Sequence, residues 1–415
     1  MTTFGVPESV LGHLFQHRYA LWLLLRAVRE RPAVELSIER ADDIALDEGV
    51  ESLARVQTKH TLVPPGASPP TALSDSSPEI WKTLRVWSEA LESGTLPLPG
   101  TILTLVTTGV ASSVTAAAML RPANRDPSAR NPAQALQLLL TAMSGSTSQT
   151  NAKAYAAFKR LSDAQQMLLV EHVHVLDGEP SILDVEKEIL NELRLSGEDR
   201  HLQALFVRLE SWWKSRIVEH LAADASDRIT GSELLRTLDD LRPQFHEHNL
   251  PIDQDILDAL AVPALDTGRR IFVEQLRMIG HANYGIRLAI RDYYRAFSQR
   301  SRWAREELLH TDELTRYELR LVEAWDHAFA MMSAEVSADA SEDEKRKAGF
   351  SLYRDLILRQ DIRIRRDCDT PFVMRGSFQM LADDTRMGDG RPRIGWHLDF
   401  IDRLRDILSP TEDRA

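Results

Sequence analysis

Cysteine is almost missing from these 415 residues: Cys368 stands alone, so neither a disulfide framework nor a CxxC zinc site can form, and the usage fits a reducing compartment. Long apolar runs are missing as well. The most hydrophobic window, LWLLLRAV, contains Arg26 and follows Arg18 closely, and it falls well short of the about 20 residues that a bilayer-spanning helix needs. It reads as a buried helix, with no signal peptide and no membrane partner, and a cytoplasmic location is expected. Positive charge is not in excess either. Lys and Arg number 50 against 62 Asp and Glu, a formal net charge of −12, which argues against nucleic acid held by bulk electrostatics alone. No GxxxxGK[ST], HExxH, GxSxG or strand-turn-helix GxGxxG is present, so any ATP chemistry must sit on a partner.

What remains is a chain that is 43% hydrophobic and 27% charged, enough for a substantial core, with a length that suggests two or three domains. From Val10 to Arg31 apolar residues recur at helical spacing until Pro32 ends the pattern. Val34, Leu36 and Ile38 then alternate with polar residues as in a half-buried strand, a second short strand runs from Asp43 to Asp47, and SLARVQTKH supplies a third. In that third strand Gln57 and Lys59 share a side-chain parity and point the same way. Residues 64–78 hold five prolines and four serines and read as a surface loop. Ser77 before Pro78 is a helix start, and TILTLVTTG is a buried β-branched strand. Beyond about residue 130 the strand signal nearly vanishes, HVHVLD being the one plausible strand, and SADASEDEKRKAG reads as a charged hinge between helices. The expected fold class is α+β, with an α/β domain over 1–130, a helical middle over 131–250 and a helical C-terminal domain over 251–415.

Metal-assisted phosphodiester hydrolysis needs an acid, a second oxygen ligand and a positive group converging at one strand edge. A hairpin of the second and third strands would bring Asp43, Gln57 and Lys59 together in this way, with Glu39 and Asp42 near enough to supplement the acid. The runs GHLFQHRYALWLLL, IERADDIAL, RVQTKHT and SPEIWKTLRVW, in that order, resemble the PD-(D/E)XK double-stranded DNA nuclease domain of bacterial CD-NTase-associated effectors, a restriction-endonuclease-like fold. The resemblance implies Mg²⁺, with Mn²⁺ as a substitute, held by Asp43, Gln57 and the backbone carbonyl of Thr58, and Lys59 as the catalytic lysine. Asp42 is the alternative ligand to Asp43, and Glu39 and Gln16 are supporting residues. Trp81 and Trp87 read as core. Lys82 and Arg85 could meet a DNA phosphate, or form a charged outer face. Residues 1–110 carry 9 Lys and Arg against 13 Asp and Glu, a net of −4, so self-association or a partner is expected to build the DNA channel.

At the other end, HANYGIRLAIRDYYRAFSQRSRWAREELL, ELTRYELRLVEAWDHAF and PFVMRGSFQMLAD…IGWHLDF resemble the C-terminal domain of effectors in bacterial ABC-three-component defence systems, among them the Lamassu antiphage systems. That resemblance implies an SMC-like ABC ATPase and a small middle subunit as partners, with cleavage released by their signal and by oligomerisation. Arg287, Arg291 and Arg295 form one helical stripe among aromatics, interface composition or a solvated face. Arg375, Gly376, Trp396 and His397 carry the terminal signature, placed to organise a turn or hold a partner. The rival expectations are a catalytically silent DNA-binding or scaffolding adaptor, and a nuclease paired with a HerA-like ATPase. The pairs His172/His174 and His246/His248 have no third ligand nearby and read as structural or exposed.

Overall fold

A computed structural model describes residues 6–39, 42–59, 71–124, 130–194, 199–258, 270–337, 339–359, 361–385 and 392–408, by backbone alone at 6–9, 71–72 and 405–408. The chain is α+β and divides into two compact units, Met1–Gly197 with Leu205–Asp240, and Glu198–Ala204 with Leu241–Ala415. Among the described residues, no helix is long and apolar enough to cross a membrane.

The first unit runs α1 (Val6–Glu30), β1 (Glu35–Ile38), β2 (Ile44–Glu48), β3 (Glu51–Lys59), β4 (Thr71–Ala72), α2 (Pro78–Glu92), β5 (Ile102–Thr107), β6 (Val110–Ala111) and α3 (Ala116–Met119). It continues through α4 (Pro132–Ser144), α5 (Ala152–Arg160), α6 (Asp163–His172), β7 (Val173–Leu176), α7 (Ile182–Leu193), α8 (Leu202–Ala222), β8 (Ile229–Thr230) and α9 (Gly231–Leu241). Six strands form one mixed sheet in the order β7-β5-β3-β2-β1-β8, and β4 pairs β6 separately. The sheet is parallel across β7, β5 and β3 and antiparallel from β3 to β8.

Local sequence explains these elements. Ser77 accepts from the Ile80 N–H and Pro78 opens α2, whose Ile80, Trp81, Leu84 and Trp87 are buried. They join Leu103 and Leu105 of β5 and Val173 and Val175 of β7 in one apolar cluster, where Trp81 meets Tyr155 and Phe158 edge-on at 4.5 and 5.8 Å.

Apart from Glu198–Ala204, the second unit begins at Leu241, near the expected boundary at 250, but the sheet runs across the one expected at 130. Val173–Leu176 of HVHVLD form a strand that pairs with β5, while β8 at residues 229–230 pairs with β1. Both outer strands of the sheet therefore come from the region read as a separate helical middle. Residues 64–70 of the Pro/Ser loop lie outside the described residues, as do 125–129 of the next loop; Thr71–Ala72 form a short strand rather than loop.

The outer edge of β1 has a side-chain partner as well. β8 pairs only Glu35 and Leu36, and the buried Ile38 N–H donates instead to His220 Nε2 at 3.1 Å. Asp227 Oδ2, 2.8 Å from His220 Nδ1, fixes the tautomer that leaves Nε2 free to accept. Arg216 also binds Asp227, holding that carboxyl below the usual carboxylate range.

The second unit is helical: α10 (Gln254–Asp258), α11 (Ile271–Met278), α12 (Asn283–Arg305), α13 (Glu313–Glu335), α14 (Glu342–Ile357), α15 (Pro371–Asp383) and α16 (Phe400–Leu408). The charged hinge is mostly helix, because Ser341 and Glu344 cap the start of α14 reciprocally. Gly376 lets α15 approach α12 closely. A Cβ there would lie 2.1 Å from the Asp292 carbonyl oxygen and 2.5 Å from Ala296 Cβ.

Gly376→Ala is therefore expected to destabilise by about 1–3 kcal/mol through overpacking, read as a lower Tm in thermal denaturation. For Asp227 the depressed folded-state pKa means that its contribution is present above the unfolded value and is lost as pH falls below about 4. Asp227→Asn should flatten the acid limb of the stability curve, measured by denaturation from neutral pH down through the unfolded-state carboxylate value of about 4.

Candidate active site

The site lies where two ladders of the sheet end at different places. β2 pairs β3 only as far as Ile44 opposite Val56, whereas β3 continues beside β5 with Gln57 opposite Leu105, Thr58 opposite Val106 and Lys59 opposite Thr107. The last three residues of β3 are thus exposed along one edge. Asp42 and Asp43 turn into that opening just before β2 begins.

Asp43 stands in for the missing strand. Its Oδ2 accepts from the Thr58 N–H at 2.8 Å and from the Thr58 hydroxyl at 3.2 Å, and lies 3.9 Å from Lys59 Nζ. Its backbone carbonyl accepts from Gln16 Nε2 at 2.7 Å and from the Glu39 N–H at 3.2 Å. Glu39 reaches this position in the left-handed region, φ 54°, which ends β1. The Glu39 carboxylate points away to His13, 3.9 Å off, on an exposed surface.

Gln57 and Lys59 do share a face, as their parity requires: Lys59 Nζ donates to Gln57 Oε1 at 3.2 Å. The other end of the same amide donates to Asp42 Oδ1. Asp42 Oδ2 accepts from Trp87 Nε1 at 2.7 Å. Burial raises the Asp42 carboxyl to about 6, against the opposing pull of its hydrogen bonds from Gln57 and Trp87. The two acids are therefore distinct. Asp42 is locked between a core tryptophan and Gln57, and Asp43 is half-buried at the cleft.

The oxygens around this opening suit a hard cation. The Lys59 carbonyl accepts from the Thr108 N–H at 3.4 Å on the β5 side, and successive carbonyls along a strand point to opposite edges, so the Thr58 carbonyl faces the side where β2 has stopped. Asp43, Gln57 Oε1 and the Thr58 carbonyl would offer an all-oxygen donor set with a single carboxylate. That chemistry fits Mg²⁺, which takes one or two carboxylates and completes its shell with water and substrate phosphate. Among the described residues no group of three His, Cys, Asp or Glu side chains is arranged to hold a metal ion. His172 instead has its Nδ1 2.8 Å from the Leu168 carbonyl oxygen.

The remaining candidates are elsewhere. Lys82 is exposed, and Arg85 ion-pairs with Glu89 at 3.2 Å along α2. The arginine stripe of α12 is not one free cationic face. Arg295 turns to the Leu257 carbonyl, Arg291 is half-buried beside Asp292, and exposed Arg287 lies over Tyr284 at 5.6 Å. Trp396 and His397 are wholly buried, with the Trp396 N–H on Gln275 Oε1 at 3.0 Å, so the terminal signature builds the interior of the second unit. The reading of Trp87 as core was incomplete: it is buried, and it also holds Asp42, a contact 45 residues apart in sequence that no spacing rule reveals.

With this geometry in hand, comparison with known proteins is informative at one end of the chain. Residues 272–404 match C-terminal domain 7 of the ABC-three component (ABC-3C) systems. The last third of the chain thus carries a C-terminal domain of the ABC-three-component kind. No curated protein and no solved structure matches the chain.

Gln16 is buried and anchors the backbone that carries Asp43. Gln16→Leu keeps the bulk but not the donor, and is expected to cost about 1–2 kcal/mol in chemical denaturation.

Proposed function

We propose that the first unit is a Mg²⁺-dependent endonuclease of double-stranded DNA and that the protein is the effector of an ABC-three-component antiphage system of the Lamassu kind. The observation that carries this reading is the convergence of Asp43, Gln57 and Lys59 on one strand end, within an order α1-β1-β2-β3-β4-α2-β5 in which β3 is parallel to β5. That arrangement is what the restriction-endonuclease-like resemblance implies for a D…QxK nuclease. The ABC-three-component domain supports a protein that works with an SMC-like ATPase and a small middle subunit.

In this reading Asp43, Gln57 and the Thr58 carbonyl hold the cation. Bound there, Mg²⁺ supplies Lewis-acid polarisation of the scissile phosphate and a more acidic water. Lys59 does the work that the chain itself contributes. Its ammonium, kept between Gln57 Oε1 and Asp43 Oδ2, orients the attacking water and offers positive charge to the phosphate oxygens, whereas taking that water's proton would require the neutral amine. Asp43 keeps that lysine in place while leaving the cleft open on the β2 side. The low cationic charge of residues 1–110, 9 against 13 acidic groups, favours a DNA channel built by several copies, so activity follows release from the partners and self-association.

The test is incubation of the purified chain, alone and with the ATPase and middle subunit, with linear and circular plasmid in Mg²⁺, Mn²⁺ or EDTA. Cleavage is expected with either cation, to vanish in EDTA, and to fall by about 100-fold or more in Lys59→Ala. Failure to cut under every one of these conditions would leave the adaptor reading in its place.

A further inference from the structure

We propose that Asp42 is a positioning residue: it dictates which end of the Gln57 carboxamide faces Lys59 and the cleft, with Trp87 holding Asp42 in register. A carboxamide carries a donor and an acceptor on one planar group of nearly symmetric shape, so turning it over exchanges the two at little steric cost. Nothing about Gln57 itself decides whether it offers oxygen or N–H to the site. Its neighbour does.

A carboxylate only accepts. Asp42 Oδ2 is taken by the Trp87 indole N–H at 2.7 Å, and Asp42 Oδ1 by Gln57 Nε2. Gln57 must therefore present its N–H inward, which leaves Oε1 toward Lys59 Nζ at 3.2 Å. Asp42, Gln57 and Trp87 are 8, 7 and 1% exposed, so water offers little alternative pairing and the orientation is strongly enforced. The same arrangement accounts for an amide at position 57. A glutamate there would press a second carboxylate against Asp42, whereas glutamine supplies the oxygen and satisfies the buried acid with the other end of the same group.

This inference rests on the nuclease reading for its effect on cleavage, though not for the orientation itself. A reciprocal exchange tests it. In Asp42→Asn the new amide keeps an oxygen for Trp87 and turns its N–H₂ toward position 57, so Gln57 either holds Nε2 against another donor or flips and sets N–H against the donor-only Lys59 ammonium. Cleavage is expected to fall by about 10- to 100-fold although the replacement is isosteric. Gln57→Glu opposes two buried carboxylates and should lower Tm by about 5 °C and abolish cleavage. The double variant D42N/Q57E restores a donor facing an acceptor. It should recover most of the lost Tm and cleavage, and reach half-maximal rate at a lower Mg²⁺ concentration than the wild type, because the ligand oxygen now carries charge.

The Tm comparison is made on the full chain without metal or DNA. Recovery of Tm in D42N/Q57E supports the orientation even if the wild type cuts nothing, a result that would sink only the nuclease reading. A double variant no more stable than Q57E, or undiminished cleavage in D42N, would overturn the positioning role while leaving the nuclease reading in place. If Q57E does not yield soluble protein, recovery of folded D42N/Q57E is the supporting result and its failure to fold the opposing one.

Discussion

The candidate site depends on one mismatch in the sheet: β3 outlasts its antiparallel neighbour and keeps its parallel one. A strand that lost both partners would fray, and one that kept both would have no open edge for a ligand. Held on one side by β5, the last three residues of β3 stay extended while their other edge needs partners from elsewhere. Asp43 meets that need at the Thr58 N–H, and in doing so is brought within reach of Lys59. The backbone requirement and the chemical grouping are one arrangement. Gln16 and the left-handed Glu39 support it from behind by binding the Asp43 carbonyl, so their contribution is to the path of the chain rather than to the cleft.

Charged side chains fasten interiors in both units. Arg365, nearly buried, binds Glu313 with two nitrogens and also the Asn249 and Leu308 carbonyls, and Arg300 joins Ser377 and Glu318. The planar guanidinium can satisfy several acceptors at once, which lets a helical unit rich in arginine close over its own loops. That use differs from display. An arginine count or a helical stripe in such a chain measures internal fastening as much as surface charge, and α12 shows both along a single helix.

Much of the first unit was legible because the signals are local. Alternation placed Gln57 and Lys59 on one face, Ser77 and Pro78 marked the start of α2, and the strand after Thr101 followed from its β-branched residues. What escaped the sequence reading depends on distance along the chain. β8 has two residues, too short for periodicity to speak, and becomes a strand only because β1, far away in sequence, waits for it; the strand in HVHVLD was legible and only its partner was not. Asp42 and Asp43 are chemically identical neighbours, and their environments are separated by burial and by Gln57 and Trp87 on Asp42, against Thr58 and Lys59 on Asp43. The start of α14 is a different case. Ser341 and Glu344 are a capping box in plain view, masked by the density of charge around them.

The strand order also sets where this molecule can be cut. A segment ending near residue 130 would carry the cleft residues, yet it would leave β5 without β7 and β1 without β8 or the His220 imidazole. Both margins of its sheet would then offer unpaired backbone to other chains. The smallest portable form of the first unit therefore extends to about Asp240, so that exchanging it between different C-terminal domains means exchanging the helices around β7 and β8 as well.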